Sequence, residues 1–186
     1  MEALRQDCII CHNPLSLYGS VSIKNGVMCR DCVKKISPFL SEKALAEMNL
    51  EEVQQHLDYR RNNQEMLSKK KMEKLIEGAY SLFVDENREF LALSKRDDLT
   101  KENADLIPVK DIRNVEITRS YQADKENNVD INLFITLDNP QLKSIRVRIN
   151  PFSNIARDSE EYYDTMKKAA LIKRTIKKLN GGAPNE

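Results

Sequence analysis

The chain has 186 residues, of which 40% are hydrophobic and 32% are charged. This length and balance fit a soluble globular protein with one domain, or with a small domain and a medium-sized one. The 30 Lys and Arg residues are matched by 29 Asp and Glu residues, so a net charge of +1 excludes the chain-wide basic excess that favours nucleic acids.

The first residues, MEALRQDC, have neither the basic start nor the apolar core of a secretory signal. No run of about 18 apolar residues is present that would cross a membrane. We therefore expect a cytoplasmic protein without a transmembrane segment. In that reducing compartment, clustered thiols favour metal binding over disulfide formation.

All four cysteines form two C-x2-C pairs, Cys8 with Cys11 and Cys29 with Cys32. Two residues between thiolates let one tight turn direct both sulfurs at the same ion, and two such turns complete a tetrahedron. Four thiolates leave no open coordination position. The spacing therefore predicts a structural Zn²⁺ site with these four ligands and no catalytic role for the metal.

The sequence alone leaves three other interpretations of these cysteines open. The letters C-I-I-C-H, from Cys8 to His12, also spell the attachment site of a c-type haem. A haem would leave Cys29 and Cys32 without a role and usually needs export. Disulfide bonds and unliganded thiols are the other two alternatives. His12 is interpreted as a rim residue, because ligation by His12 and the adjacent Cys11 together is geometrically awkward.

Short β-like runs flank Asn25-Gly26 between the two cysteine pairs. An Asn-Gly pair tolerates positive φ at both turn positions, so the pattern predicts a hairpin that brings Cys29 back towards Cys8. The residues VKKI after Cys32 predict the first turn of a helix. A cysteine turn, a hairpin and a second cysteine turn at a helix start are the order of a treble-clef-like or ribbon-like zinc finger.

Residues 37–60 are predicted to be helical, with apolar residues recurring at spacings of three and four. Asn49 followed by Glu52 is typical of an N-cap with a reciprocal partner at the third helical position. His56 lies off the apolar positions and is interpreted as a surface histidine.

Residues 60–77 form a charged segment that either extends this helix or serves as an exposed linker. Its cations are a candidate contact patch for phosphates or acidic lipids, and a solvated helix face is the alternative. The candidate patch consists of Arg60, Arg61, Lys69, Lys70, Lys71 and Lys74.

From Tyr80 onwards the pattern changes to short segments with a period of two, and six strands are predicted. The clearest is VDINLFITL at 129–137, in which apolar residues occupy every second position. SIRVRI at 144–149 alternates in the same way. Such alternation predicts an antiparallel meander with one solvated face.

The last predicted element is an amphipathic helix with an apolar stripe from Tyr162 to Leu179. Asp158 and Glu161 are placed as its capping pair, and the glycines after Asn180 end it. Strands closed by one helix are typical of a pleckstrin-homology-like barrel, an analogy of fold that carries no function.

The sequence thus predicts an α+β chain in three parts. They are a zinc-finger domain at 1–48, a helical connector at 49–78, and an antiparallel β domain with its C-terminal helix at 79–186.

The first third of the chain resembles bacterial and phage proteins that carry the zinc-finger domain of unknown function 4428. The β region is similar only in layout to the pleckstrin-homology-like domains appended to such fingers. His12 departs from the pattern, because small residues such as glycine are common after this cysteine turn. The resemblance implies zinc binding and no established reaction. The matching features are Cys8, Cys11, Asn25-Gly26, Cys29, Cys32 and the general form of residues 49–63.

The chain lacks the sequence signatures G-x-S-x-G, H-E-x-x-H and G-x-x-x-x-G-K-[ST]. With every thiol assigned to the metal and only two histidines, we expect a non-enzymatic adaptor that contacts a protein partner. One alternative is binding to a membrane surface or a nucleic acid through the basic run from Arg60 to Lys74 and the basic end of the last helix. Another, implied by the phage members of the family, is a regulator or inhibitor of a host system.

Overall fold

A computed structural model of the chain describes residues 7–16, 18–122 and 125–181. Short elements surround the cysteines and are followed by one long helix. They are β1 (Val21–Ile23), β2 (Gly26–Met28), α1 (Arg30–Val33), α2 (Glu42–Ala46) and α3 (Leu50–Lys69). The helix predicted across residues 37–60 is therefore two helices, because α2 ends at Ala46 and α3 begins at Leu50.

The predicted hairpin is present, but its turn lies one residue earlier than expected. Ile23 pairs with Gly26, which leaves Lys24 and Asn25 in the turn, and neither Asn25 nor Gly26 has a positive φ. A Cβ atom on Gly26 would lie 2.7 Å from Cδ1 of Ile9. Glycine is needed here so that the hairpin can approach the first cysteine turn closely.

Helix α3 begins with the predicted capping box. The Asn49 side chain accepts the N–H of Glu52 at 3.0 Å, and the Glu52 carboxylate accepts the N–H of Asn49 at 2.7 Å. The buried face of the helix is more polar than predicted, although its members recur at the spacing of one helical face. These buried residues are Val53, His56, Arg60, Asn63 and Leu67.

The prediction that His56 is a surface residue is wrong, and Arg60 does not belong to an exposed basic patch. Their exposed fractions are 0% and 2%. This face of α3 covers a loop, residues 103–106, whose backbone polar groups need partners when they are buried. Asn63, for example, donates to the carbonyl of Leu106 at 2.6 Å and accepts its N–H at 2.7 Å. The polar side chains therefore satisfy buried backbone that an apolar face would leave unpaired.

The remaining described residues form two antiparallel sheets of four strands each and a final helix. The first sheet has the order β3 (Met72–Ile76), β4 (Ser81–Asp85), β5 (Phe90–Ser94) and β6 (Ile107–Pro108). A 3-10 helix at Val109–Asp111 leads into the second sheet. Its strands are β7 (Ile112–Gln122), β8 (Lys125–Leu137), β9 (Ser144–Arg148) and β10 (Ile155–Ala156), and helix α4 spans Glu160–Leu179.

In the second sheet, β8 pairs with β7 along one side and with β9 and then β10 along the other. The antiparallel arrangement of the sheets is confirmed, and each of the six predicted strands is present. Two further strands, β3 and β10, were not predicted. Strand β3 falls inside the proposed helical connector, 49–78, whereas the domain boundaries themselves stay a prediction.

One large core lies among the two sheets and α4. The period-two residues of β8 are all buried, and α4 packs its predicted stripe against β7 and β8. Each such valine, leucine or isoleucine side chain contributes about 1.5–3 kcal/mol when it is fully buried. The fully buried members include Ile131, Leu133 and Ile135 of β8 and Ala169, Ile172 and Ile176 of α4.

Helix α4 begins one residue later than the predicted cap. The hydroxyl of Ser159 accepts the N–H of Tyr162 at 3.1 Å, so Ser159 and not Asp158 is the N-cap. Asp158 instead has a φ of 65°, a left-handed conformation that aspartate tolerates better than most residues. Among the helices of the described ranges, none has the length and apolar content needed to span a membrane.

Candidate metal centre

The four cysteines come from two tight turns that meet at one point. Cys8 and Cys11 lie in a turn in which the N–H of His12 donates to the carbonyl of Cys8 at 2.9 Å. Cys29 is the N-cap of α1, and the N–H of Cys32 donates to its carbonyl at 3.1 Å. Hairpin β1–β2 connects the two turns and places their sulfurs side by side.

The four sulfur atoms have the spacing that one metal ion requires. All of them lie within 4.8 Å of one another, and the sulfurs of Cys11 and Cys29 are 3.6 Å apart. A tetrahedron with metal–sulfur bonds of about 2.3 Å has edges of roughly 3.8 Å, which matches this spacing. Three of the four cysteines are buried. The four predicted ligands are therefore brought together and can hold a metal ion.

Backbone N–H groups are directed at the sulfur of Cys8, from Ile10 at 3.4 Å and from Cys29 at 3.2 Å. Burial raises the pKa of the Cys8 thiol, but these donors together with the N–H of Cys11 lower that pKa to about 6. Burial raises the pKa of Cys32, and hydrogen bonds with the other thiols raise it further. Thiolates this close repel one another, so deprotonation of the whole cluster favours a cation between them.

His12 lies outside the sulfur cluster and is exposed. Its φ is 58°, in the left-handed region that glycine adopts without strain. The interpretation of His12 as a rim residue agrees with its place in the structure.

The predicted basic patch is not one continuous exposed surface. Arg60 is buried, and four of the other cations form ion pairs. Lys71 is exposed and forms no ion pair with the residues that the structure describes. The pairs are Arg61 with Asp58, Lys69 with Glu65, Lys70 with Asp85, and Lys74 with Asp97.

A buried polar junction joins the cysteine segment to the rest of the protein. The guanidinium of Arg60 is bound to the carboxylate of Asp105, and the hydroxyl of Ser37 donates to the same carboxylate at 2.6 Å. Burial raises the pKa of Asp105, while the charge of Arg60 and the Ser37 hydroxyl oppose that shift. Arg60 also donates to the carbonyl of Asn103 at 2.5 Å. Three segments distant in sequence are thus fixed at one ion pair, which the sequence pattern did not reveal.

His56 completes this junction as a neutral side chain. Its Nε2 accepts the N–H of Ser37 at 3.2 Å, and its Nδ1 lies 3.0 Å from the carbonyl oxygen of Gln141. An N–H donor on one side and a carbonyl on the other fix the tautomer with the proton on Nδ1. Burial lowers the pKa of His56, and the positive charge of Arg60 lowers it further. The hydrogen bond to the carbonyl of Gln141 raises the pKa but does not outweigh these two effects.

We predict that the pKa of His56 in the folded protein lies below its usual value of about 6.5. Because the unfolded chain then takes up this proton first, the contribution to stability is complete above about pH 6.5 and is lost as the pH falls towards the folded-state pKa. A pH titration of the ring protons by NMR measures the value, with a His56→Gln variant to assign the resonance. A midpoint at or above 6.5 would contradict the neutral, doubly bonded histidine.

A cleft of about 530 Å³ opens between the cysteine segment and the second sheet. One wall comes from α2 and the start of α3, and the other from the turn before β9 and from β9 itself. Its apolar lining is formed by Phe39, Leu40, Ala44, Met48 and Leu142. Lys143, Ser144 and Arg146 form the rim on the side of β9. This volume lies within the range of about 300–1,000 Å³ that ligand sites occupy.

Comparison with known proteins shows that the cysteine segment is similar to one described domain type. The family model "Domain of unknown function (DUF4428)" matches residues 6–56. Neither the curated proteins nor the solved structures gave a match. The matched range contains all four cysteines and extends to His56, so the cysteine cluster and the start of α3 are similar to that domain, while the two sheets lie outside the match.

Proposed function

We propose that the four cysteines hold one structural zinc ion. A tetrahedral set of four sulfurs selects zinc or iron, and a closed mononuclear set of this kind is typical of structural zinc. The order of a cysteine turn, a hairpin and a second cysteine turn at the start of α1 supports a treble-clef-like finger. Zinc binding by reduced thiols also suits a reducing compartment such as the cytoplasm.

We further propose that the two sheets and α4 form a pleckstrin-homology-like domain. Four strands in the first sheet, two long and two short strands in the second, and a closing helix that packs on β7 and β8 support this fold. The fold carries no function by itself, so the argument for function rests on the cleft and its surroundings.

The proposed function is that of a non-enzymatic interaction protein, an adaptor that contacts a protein partner. The observation that carries it is the cleft, whose walls come from the cysteine segment on one side and from β9 on the other. The thiols belong to the metal in this proposal, and both ring nitrogens of His56 are engaged in the junction. These groups therefore have structural roles and are not available for acid–base or nucleophilic chemistry.

Binding to a membrane surface or a nucleic acid is the competing proposal. It depends on free cations, and four of the six candidates are paired with carboxylates while Arg60 is buried. Neighbouring carboxylates repel phosphates and weaken the counterion release that drives such binding. The pairing of the cations in residues 60–74 thus favours a protein partner over phosphate groups at this segment.

Site-specific photo-cross-linking in the native cell tests the adaptor proposal. A photoreactive amino acid is placed at Gln55 or Lys143, on the two walls of the cleft, and at the exposed Arg174 of α4 as the control. We expect one protein to be captured from both cleft positions and not from the control. Equal capture at all three positions would contradict the proposal, as would the loss of all capture together with salt-sensitive binding to anionic vesicles or oligonucleotides.

A further inference from the structure

We infer that the free edge of β9 binds an extended, acidic segment of the partner as an added strand. The inference rests on the proposed function and identifies the chemistry of the partner. Three observations carry it: the backbone phase of β9, the basic side chains along its edge, and the apolar lining of the adjoining cleft.

Hydrogen bonds at both ends of β9 show which of its backbone groups face β8. The carbonyl of Lys143 accepts the N–H of Leu137 at 2.8 Å, and the N–H of Ile149 donates to the carbonyl of Ile131 at 2.8 Å. Along an antiparallel strand, the backbone groups of successive residues point alternately towards one neighbouring strand and away from it. Since Lys143 and Ile149 bond to β8, Ile145 and Val147 between them also face β8. The backbone groups of Ser144, Arg146 and Arg148 therefore point away from β8.

No other strand in the described ranges covers this edge. Strand β9 pairs with β8 alone, and β10 pairs with β8 further along, at Val129 and Asn128. Unpaired N–H and C=O groups on a sheet edge are a template for another extended chain. Ser144 and Arg146 of β9 line the cleft, so a strand added to this edge would run beside it.

The side chains along the edge determine the charge of the segment. Arg146 and Arg148 are exposed at alternate positions of β9, and Lys143 is exposed just before the strand begins. Arg146 reaches across β8 to donate to the hydroxyl of Ser120 at 3.2 Å, and the charges of both arginines act on Asp130 of β8. An added strand places its side chains beside these residues as cross-strand neighbours, and opposite charges there are favourable. Acidic residues at alternate positions are the complement of this edge.

The same charges disfavour a second copy of this chain as the occupant. A symmetrical antiparallel pairing centred on Arg146 would place the two Arg146 side chains directly opposite each other. Like charges at such positions are destabilising. An acidic segment from a different protein therefore fits the edge better than a β9–β9 dimer does.

The cleft lining predicts the residues between the acidic ones. Side chains of an extended segment alternate between two faces, so every second residue is free to contact the apolar lining, which includes Phe39, Met48 and Leu142. The five residues of β9 span roughly 17 Å at about 3.3 Å per residue. The expected ligand is thus a segment of about five residues in which acidic and apolar side chains alternate.

An acetylated seven-residue peptide of alternating glutamate and leucine is the probe, and the full-length protein with its metal is the receptor. We expect binding that slows the exchange of the outward amides of Ser144, Arg146 and Arg148. N-methylation of the peptide at the alternate residues that face β9 should weaken binding about tenfold or more, because two or more backbone bonds are lost. A peptide with lysine in place of glutamate should not bind measurably.

The matched variants are Arg146→Glu in the edge and Arg174→Glu on α4. Both reverse one exposed charge, and only Arg146→Glu should lower the affinity for the glutamate peptide, by about tenfold. Ser144→Pro removes one outward N–H without removing a bond to β8. The variant should therefore keep the fold and bind the peptide with lower affinity. Equal effects of the two charge reversals, or no effect of N-methylation, would overturn the inference. If the cleft positions still cross-link a protein partner in that case, the adaptor proposal stands and only its strand-addition form fails.

Discussion

Removal of the metal is expected to unfold the cysteine segment, residues up to about 45, and to leave residues from about 79 onward folded. Strands β1 and β2 have three residues each and α1 has four, so these elements cannot bury enough surface to fold alone. In structural zinc sites the metal contributes on the order of 10–16 kcal/mol of apparent binding free energy at neutral pH. The β region has its own core of alternating strand residues and the α4 stripe.

Hydrogen exchange with and without a strong chelator measures this difference along the chain. Protection should be lost in β1, β2, α1 and α2 and retained in β7, β8 and β9. A Cys29→Ser variant should give the same pattern without chelator. Residues 103–106 should lose part of their protection, because Ser37 no longer holds Asp105 in place. Uniform loss of protection across both sheets would mean that the two parts form a single cooperative unit.

The Asp105→Ala substitution is expected to lower the free energy of unfolding by about 3–5 kcal/mol. It leaves the guanidinium of Arg60 buried without its carboxylate, and the hydroxyl of Ser37 loses its acceptor. The side chains of Arg60 and Asp105 are 3% and 0% exposed, so water cannot replace the missing partner. Urea unfolding followed by circular dichroism, with the metal bound, gives the value.

Two further variants separate the buried charge from simple loss of packing. Arg60→Met combined with Asp105→Ala should recover part of the lost stability, because no unpaired charge remains. Arg61→Met removes the exposed pair with Asp58 on the same helix and should cost at most about 1 kcal/mol. A cost for Asp105→Ala no larger than that of Arg61→Met would contradict the buried ion pair.

The parts of the structure that follow from a single local pattern were predictable. The two C-x2-C pairs identified the four cysteines that cluster as candidate metal ligands, because a tight turn determines the direction of both sulfurs. The period-two pattern identified β8 and β9, because one face of each is buried, while the other face is more exposed, partly in β8 and fully at Arg146 and Arg148 of β9. Asn49 and Glu52 identified the start of α3, because a capping box depends only on residues three apart.

The features that depend on distant segments were missed. His56 and Arg60 looked like surface residues because nothing near them in sequence shows that Gln141 and Asp105 supply their partners. Their spacing of three and four with Val53 was a usable signal, but polar side chains at that spacing are also found on solvated faces. Gly26 was assigned to a turn, although its role depends on the close approach of Ile9.

The edge of β9 also depends on contacts that the sequence does not show. Alternation predicts a strand at 144–149, but it does not show which of its neighbours pair with it. Only the sheet order shows that β9 ends the sheet beside the cleft. The binding proposal therefore comes from the structure, whereas the metal proposal comes from the sequence and is supported by the structure.

X-ray absorption spectroscopy of the purified protein, with native mass spectrometry of the same sample, tests the zinc centre most directly. The predicted result is one zinc ion per chain, bound by four sulfur atoms at about 2.3 Å, and loss of that ion on acid denaturation. A nitrogen or oxygen ligand in place of a sulfur, iron in place of zinc, a covalently attached haem, or a metal-free chain with two disulfide bonds would contradict it.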